Sequence, residues 1–158
     1  KGLGMKVLYY DLRKNIKFEK KVGAKKASIS TILKKADFVS LHVPLLPSTT
    51  HLIGKKELGL MKKSAYLINT SRGPVVDEKA LYKVLKQSGI AGAALDVFEF
   101  EPKVVKGLDK LDNVILTPHI ASATLEVRTA MSQIAAENII AVLKGRKAKF
   151  TINEEVYK

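Results

Sequence analysis

The sequence predicts an α/β protein built on a parallel sheet with helices on both faces, and three observations predict it. Short apolar runs, partly β-branched, alternate with segments of helical periodicity along the chain, as in βαβ units. Polar residues or prolines punctuate the carboxyl ends of these runs, at Asp11, Pro44, Asn69, Asp96 and Thr117. One stretch, Leu67 to Asp77, passes from a buried strand through a polar turn containing an arginine into a capped helix.

Met5 to Tyr10 reads as the first strand and ends at Asp11, while Gly2 and Gly4 before it read as the closing punctuation of a helix. Leu12 to Ala27 is charged and irregular. Ser28 or Ser30 can cap a short helix through Ile32, Leu33 and Ala36. Phe38 to Val43 is a strand stopped by Pro44, and Leu45 to Thr50 is a loop with a second proline at Pro47. Lys55 to Met61 forms a short helix with Leu58 and Met61 inward. Tyr66 to Ile68 is a buried strand, followed by the hydrogen-bonding side chains Asn69 to Ser71, Arg72, and the turn Gly73-Pro74. Asp77 to Ser88 is a helix: acidic residues favour its start, Leu81, Val84 and Leu85 make one stripe, and Gly89 ends it. Gly92 to Val97 is a buried strand of small residues, and Asn113 to Thr117 another strand. Thr124 to Lys144 is the longest helix, with Val127, Met131, Ile134 and Ala135 on one face and Gly145 as its stop.

The 158 residues suffice for one domain with a sizeable core, and 46% hydrophobic content fits a soluble globular chain. No apolar run approaches the roughly 18 residues a membrane helix needs, which argues against a membrane partner. The absence of cysteine excludes thiol chemistry and suits a cytoplasmic location. The net charge of +13 raises nucleic-acid binding as a class. Its lysines, however, lie in scattered pairs such as Lys20-Lys21, Lys34-Lys35 and Lys62-Lys63, with no aromatic interleaving and no helix-turn-helix or zinc pattern. A solvated basic surface that attracts anionic small molecules is the better reading, with no nucleic-acid partner.

The chemistry gathers at strand ends. In an open parallel sheet ligands bind outside the carboxyl ends of the strands. Arg72, Asp96, Glu101 and His119 follow successive predicted strands there. An arginine in that position can grip a carboxylate through two parallel hydrogen bonds. A carboxylate beside a histidine fixes its tautomer and favours its protonated form, as a proton donor near neutral pH requires. Asp11, at the end of the first strand, suits a ribose 2′-hydroxyl and so NAD over NADP, although Arg13 and Lys14 could tolerate a phosphate. His42, inside a strand, reads as structural, and His51, in a loop, has no evident partner. No pair of histidines has metal-ligand spacing, and no Gly-x-Ser-x-Gly elbow or Walker loop is present.

Four motifs then occur in order: His42-Val43-Pro44-Leu45, Asn69-Thr70-Ser71-Arg72-Gly73, Leu95-Asp96-Val97-Phe98-Glu99-Phe100-Glu101-Pro102 and Thr117-Pro118-His119. Together they resemble the D-isomer-specific 2-hydroxyacid dehydrogenases, most closely the glyoxylate/hydroxypyruvate reductase branch. The resemblance runs from Met5 to about Gly145. It implies a Rossmann-type fold, an NAD-dependent oxidoreductase that interconverts a small 2-oxo acid and a D-2-hydroxy acid, and a homodimer. It further implies that Arg72 orients the substrate carboxylate and carbonyl, that His119 is the acid/base, and that Glu101 is the carboxylate paired with it. Asp96 would lie near the nicotinamide carboxamide and Asp11 on the ribose. Pro44, Thr49, Thr70, Ser71 and Ala121 would fall in segments that line the cofactor.

Family members are about twice this length, and the chain begins just after the position of the family's first strand and glycine-rich loop. The expected architecture is therefore a Rossmann-type doubly wound sheet lacking those two parts. Residues 1–146 would form an incomplete NAD-binding domain, and 147–158 a tail returning to the substrate domain. On this reading Met5–Tyr10 and Phe38–Val43 lose their bridge to the other half of the sheet. The isolated chain is then expected not to turn over substrate, an expectation that NADH oxidation with glyoxylate by the purified chain would contradict. Phosphoglycerate or D-lactate dehydrogenases of the same family are alternatives, as is a non-enzymatic NAD-binding corepressor. A paired NAD titration and activity assay separates the corepressor from the enzymes.

Overall fold

The computed structural model describes residues 2–157. The chain divides into two compact units, one ending at Pro118 and the other beginning at His119.

In the first unit every strand pairing is parallel. β1 (Leu8–Tyr9) pairs with β2 (Lys25–Lys26), and β3 (Phe38–Leu41), β4 (Tyr66–Asn69), β5 (Gly92–Leu95) and β6 (Val114–Leu116) form a four-stranded sheet in that spatial order. The parallel α/β architecture expected from the sequence is thus present. One part of the expected strand order is corrected. Phe38–Leu41 keeps its bridge, because it pairs directly with Tyr66–Asn69, Val39 opposite Leu67 and Leu41 opposite Asn69. Leu8–Tyr9 stands instead with Lys25–Lys26, a strand absent from the sequence reading. Two exposed lysines show no hydrophobic alternation, and the strand is set by backbone bonds from Lys25 N–H to Val7 (3.0 Å) and from Ala27 N–H to Tyr9 (2.9 Å). Lysine on a short strand also discourages pairing with another chain.

The charged stretch before β2 contains α1 (Ile16–Val22), capped by Asn15 and closed by Gly23 in the left-handed region. It buries no residue. Tyr9 holds it instead, through an edge-on contact with the Phe18 ring and a 2.8 Å hydrogen bond from its hydroxyl to Glu19. Helices α2 (Ile29–Lys35), α3 (Lys55–Leu58) and α4 (Glu78–Lys86) supply the core. Ser28 caps α2 by accepting from the Thr31 N–H, and Asp77 caps α4 by accepting from the Ala80 N–H. Leu33, Leu58, Leu81 and Leu85 pack in one cluster with Val39, Leu41, Leu67, Ala93 and Leu95 of the strands. Each such leucine contributes about 1.5–3 kcal/mol through its burial. The alternate strand residues Phe38, Tyr66 and Ile115 are exposed, the two rings stacked on one another.

In the second unit, α5 (Leu125–Leu143) is capped by Thr124 and followed by Gly145 with φ 68°. It has no buried residue, and Val127, Met131 and Ile134 are exposed. The tail folds along it: Asn138 accepts from the Lys149 N–H at 3.1 Å, and the Tyr157 hydroxyl accepts from the Ala148 N–H at 3.0 Å. Among the described residues no helix is long and apolar enough to cross a membrane.

Candidate functional site

Parallel, in-register pairing brings the carboxyl ends of β4, β5 and β6 to one edge, with Asn69 opposite Leu95 and Leu95 opposite Leu116. Three turns leave that edge, and a buried polar side chain organises each of the first two.

After β4 the organiser is Asn69, 1% exposed. Its Oδ1 accepts from the Ser71 N–H (3.1 Å) and the Ser71 hydroxyl (2.9 Å), while its Nδ2 donates to the Arg72 carbonyl (3.0 Å). One amide thereby satisfies both sides of the turn, a local side-chain bond of the kind that competes with continued strand. Thr70 and Arg72 are left exposed, and the guanidinium donates to the Ser71 carbonyl at 2.7 Å. Gly73 comes next, in a short 3₁₀ turn with Pro74 and Val75. Its Cα lies flat against the Phe98–Glu99 peptide, so that a Cβ there would sit 1.8 Å from the Phe98 carbonyl oxygen. The arginine turn and the turn after β5 are therefore in backbone contact.

After β5, Asp96 is 4% exposed and accepts from the Thr117 hydroxyl at the end of β6. Its own N–H donates to the Asn69 carbonyl at 2.9 Å, and the Thr117 N–H to the Leu95 carbonyl at 3.0 Å. A carboxylate taken out of water needs such a donor, and here it clips β6 to β5. Glu101 is exposed and accepts from the Phe98 N–H at 3.1 Å, and the Glu101–Pro102 peptide is cis.

The proline loop after β3 is built by Thr49, whose hydroxyl donates to the Pro44 carbonyl (2.7 Å) and accepts from the Leu46 N–H (2.8 Å). The His51 N–H joins that loop to the Pro74 carbonyl at 2.8 Å, beside the arginine turn. Asp11, just past β1, is exposed and accepts from the Arg13 N–H at 2.9 Å. In the second unit His119 and Ala121 are exposed. His119 has φ 54°, in the left-handed region that side-chain-bearing residues seldom occupy.

Of the residues named from the sequence, Thr70, Ser71, Arg72, Asp96 and Glu101 thus belong to turns leaving one edge of the first unit. His51 is corrected: its Nε2 lies 2.8 Å from Glu99 Oε1. Glu78, one of the acidic residues at the start of α4, is 2% exposed and accepts from two distant backbone N–H groups. Neither partner could be found by local spacing, since they lie 21 to 48 residues away.

The family model for the D-isomer specific 2-hydroxyacid dehydrogenase, NAD binding domain, matches residues 1–121. The chain belongs to that family. A glyoxylate reductase of Thermococcus litoralis is 52% identical over 156 residues, covering 99% of this chain and 47% of its own length. The crystal structure of a glyoxylate reductase from Paecilomyes thermophila superposes with a TM-score of 0.86 at 33% identity, covering 98% of this chain and 47% of that one. D-lactate dehydrogenase with NAD+ from Lactobacillus jensenii gives 0.82 at 38% identity, over 96% and 49% of the two chains. The chain thus spans about half the length of the relatives it matches.

The residues present fit the dinucleotide of the family model. Asp11 holds an exposed carboxylate just past β1, in the position suited to a ribose diol. The Pro44–Thr49 loop and the Thr70-Ser71 turn place backbone and hydroxyl groups past the ends of β3 and β4.

Proposed function

We propose that this chain is the cofactor-binding half of an NAD-dependent reductase that interconverts glyoxylate, or a similarly small 2-oxo acid, and its D-2-hydroxy acid. The observation that carries the reading is the Arg72 turn. A buried asparagine and a glycine contact fix its backbone at the carboxyl edge of the sheet, while its guanidinium stays exposed for an anionic substrate.

When bound, the cofactor supplies the hydride. Arg72 grips the substrate carboxylate with two parallel N–H donors and so sets the angle of the carbonyl. His119 gives an imidazole proton to the carbonyl oxygen in reduction and takes it back in oxidation. Glu101 is the carboxylate that family resemblance pairs with that imidazole, and its role there would be to fix the tautomer. Asp96 would lie at the nicotinamide end of the dinucleotide and Asp11 would hold its ribose, which favours NAD over NADP. Cytoplasmic location and a homodimer complete the proposal, the dimer resting on family resemblance.

A chimera tests it: residues 1–158 replace the matched half of the Thermococcus litoralis reductase. In that protein Arg72→Lys should raise the KM for glyoxylate roughly 10- to 100-fold, the loss expected when a charged bidentate contact becomes a single bond. The dissociation constant of NADH, measured by fluorescence titration, should not change. A parallel loss of cofactor affinity would place Arg72 in the wrong role.

A further inference from the structure

We infer that Glu78 is a positioning residue for substrate handling, holding the Glu101 turn and the Arg72 turn in register without touching either side chain. The inference rests on the proposed roles of Arg72 and Glu101 and adds to them a device that neither role requires.

Glu78 opens helix α4 and is 2% exposed. Its Oε2 accepts from the Glu99 N–H at 2.8 Å, and its Oε1 accepts from the Val105 N–H. The exchange is reciprocal, for Glu99 Oε2 accepts from the Glu78 N–H at 3.1 Å. The remaining oxygen of Glu99 lies 2.8 Å from His51 Nε2, and His51 is held in the left-handed region with φ 52°. Four segments are thereby tied: the proline loop, the start of α4, the Glu99–Glu101 turn and the segment at Val105.

The clamp bears on both substrate-facing turns. The N–H of the Phe98–Glu99 peptide is pinned by Glu78, and the same peptide lies against Gly73, the residue after Arg72. Phe98 in turn offers its own N–H to Glu101 Oε1 at 3.1 Å. Motion of the peptide would shift Glu101 on one side and the arginine turn on the other. A carboxylate is required because two backbone N–H groups converge on one side chain. Glutamine offers a single acceptor oxygen and would set its own N–H₂ against the second donor.

The test is Glu78→Gln in the 158-residue chain, read by amide hydrogen exchange, and in the chimera, read by kinetics. Exchange at Glu99 and Val105 should rise about tenfold or more. Exchange at Phe98, which Glu78 does not touch, should rise with them, while Ala93 and Leu95 in the sheet keep wild-type protection. In the chimera the KM for glyoxylate should rise about tenfold with the NADH dissociation constant unchanged. Wild-type exchange at Phe98, or an unchanged KM, overturns the inference. Should Glu78→Gln expose the sheet amides as well, Glu78→Asp decides by the same Phe98 and KM readings, since it keeps the carboxylate but draws its oxygens back from the Glu99 and Val105 N–H groups. A wild-type chimera without glyoxylate turnover would remove the functional reading and the substrate-handling role with it, while Phe98 exchange would still decide whether Glu78 positions the two turns.

Discussion

Replacing His119 by alanine should lower kcat for glyoxylate reduction in the chimera by about 10²- to 10⁴-fold, the usual worth of a positioned general acid, if His119 has the proposed role. The NADH dissociation constant should stay within about twofold, because a group that acts on the reacting carbonyl contributes little to ground-state binding of the cofactor. His119 suits this task by its placement in the chain. It comes three residues after β6, whose end is clipped to β5 through Thr117 and Asp96. Its backbone occupies the left-handed region at φ 54°, which costs a non-glycine residue roughly 1–2 kcal/mol and is retained at sites where conformation serves function. Alanine removes the imidazole but tolerates that conformation no better, so a second variant separates the two effects. His119→Asn keeps a side chain accepted in the left-handed region and lacks a transferable proton. It should lose the same kcat with no loss of melting temperature. Equal losses of kcat and of NADH affinity in both variants would show that His119 binds cofactor and does not carry the proton.

Gly73→Ala should cost about 3 kcal/mol or more of stability, at the upper end of overpacking effects. On a chain of this size that is a fall of roughly 6–12 °C in melting temperature. The added Cβ would lie 1.8 Å from the Phe98 carbonyl oxygen, 1.9 Å from its carbon and 2.5 Å from the Glu99 nitrogen. All three are backbone atoms, and the peptide they form is held by Glu78 from its N–H side. No side-chain rotation can relieve the clash, so either the arginine turn or the Glu99 turn must move. Gly59 is the control. A Cβ there meets nothing nearer than 3.4 Å, and its backbone is right-handed helical. Gly59→Ala should change the melting temperature little or raise it slightly. Similar melting curves for the two variants would refute the close approach at Gly73. Substrate affinity should fall in Gly73→Ala as well, since Arg72 is its immediate neighbour.

The parts of this structure legible in the sequence are those specified by neighbours in the chain. Ser28 and Asp77 each cap the helix that follows them, because a cap needs only a side-chain oxygen three residues before a free N–H. β4, β5 and β6 were found from apolar runs of buried length, with boundaries shorter than expected by one or two residues except at Asn69, which joins its strand. α1 and β2 were missed for a physical reason. Neither buries a full residue face, and both are held by contacts to β1 that no local pattern announces. The polar contacts behind the candidate site were hidden in the same way. His51 and Glu99 are 48 residues apart, and Glu78 and Val105 are 27 apart. Among the described residues no buried side-chain nitrogen or oxygen lacks a partner, so Asn69, Glu78 and Asp96 all serve as organisers of turns.

The rate of NADH oxidation with glyoxylate by the chimera, in which this chain replaces the matched half of the Thermococcus litoralis reductase, tests the central claim most directly. Turnover comparable with the parent enzyme, lowered about 10²- to 10⁴-fold by His119→Ala at unchanged NADH affinity, is the predicted result. A chimera that folds and binds NADH yet reduces no 2-oxo acid would contradict it.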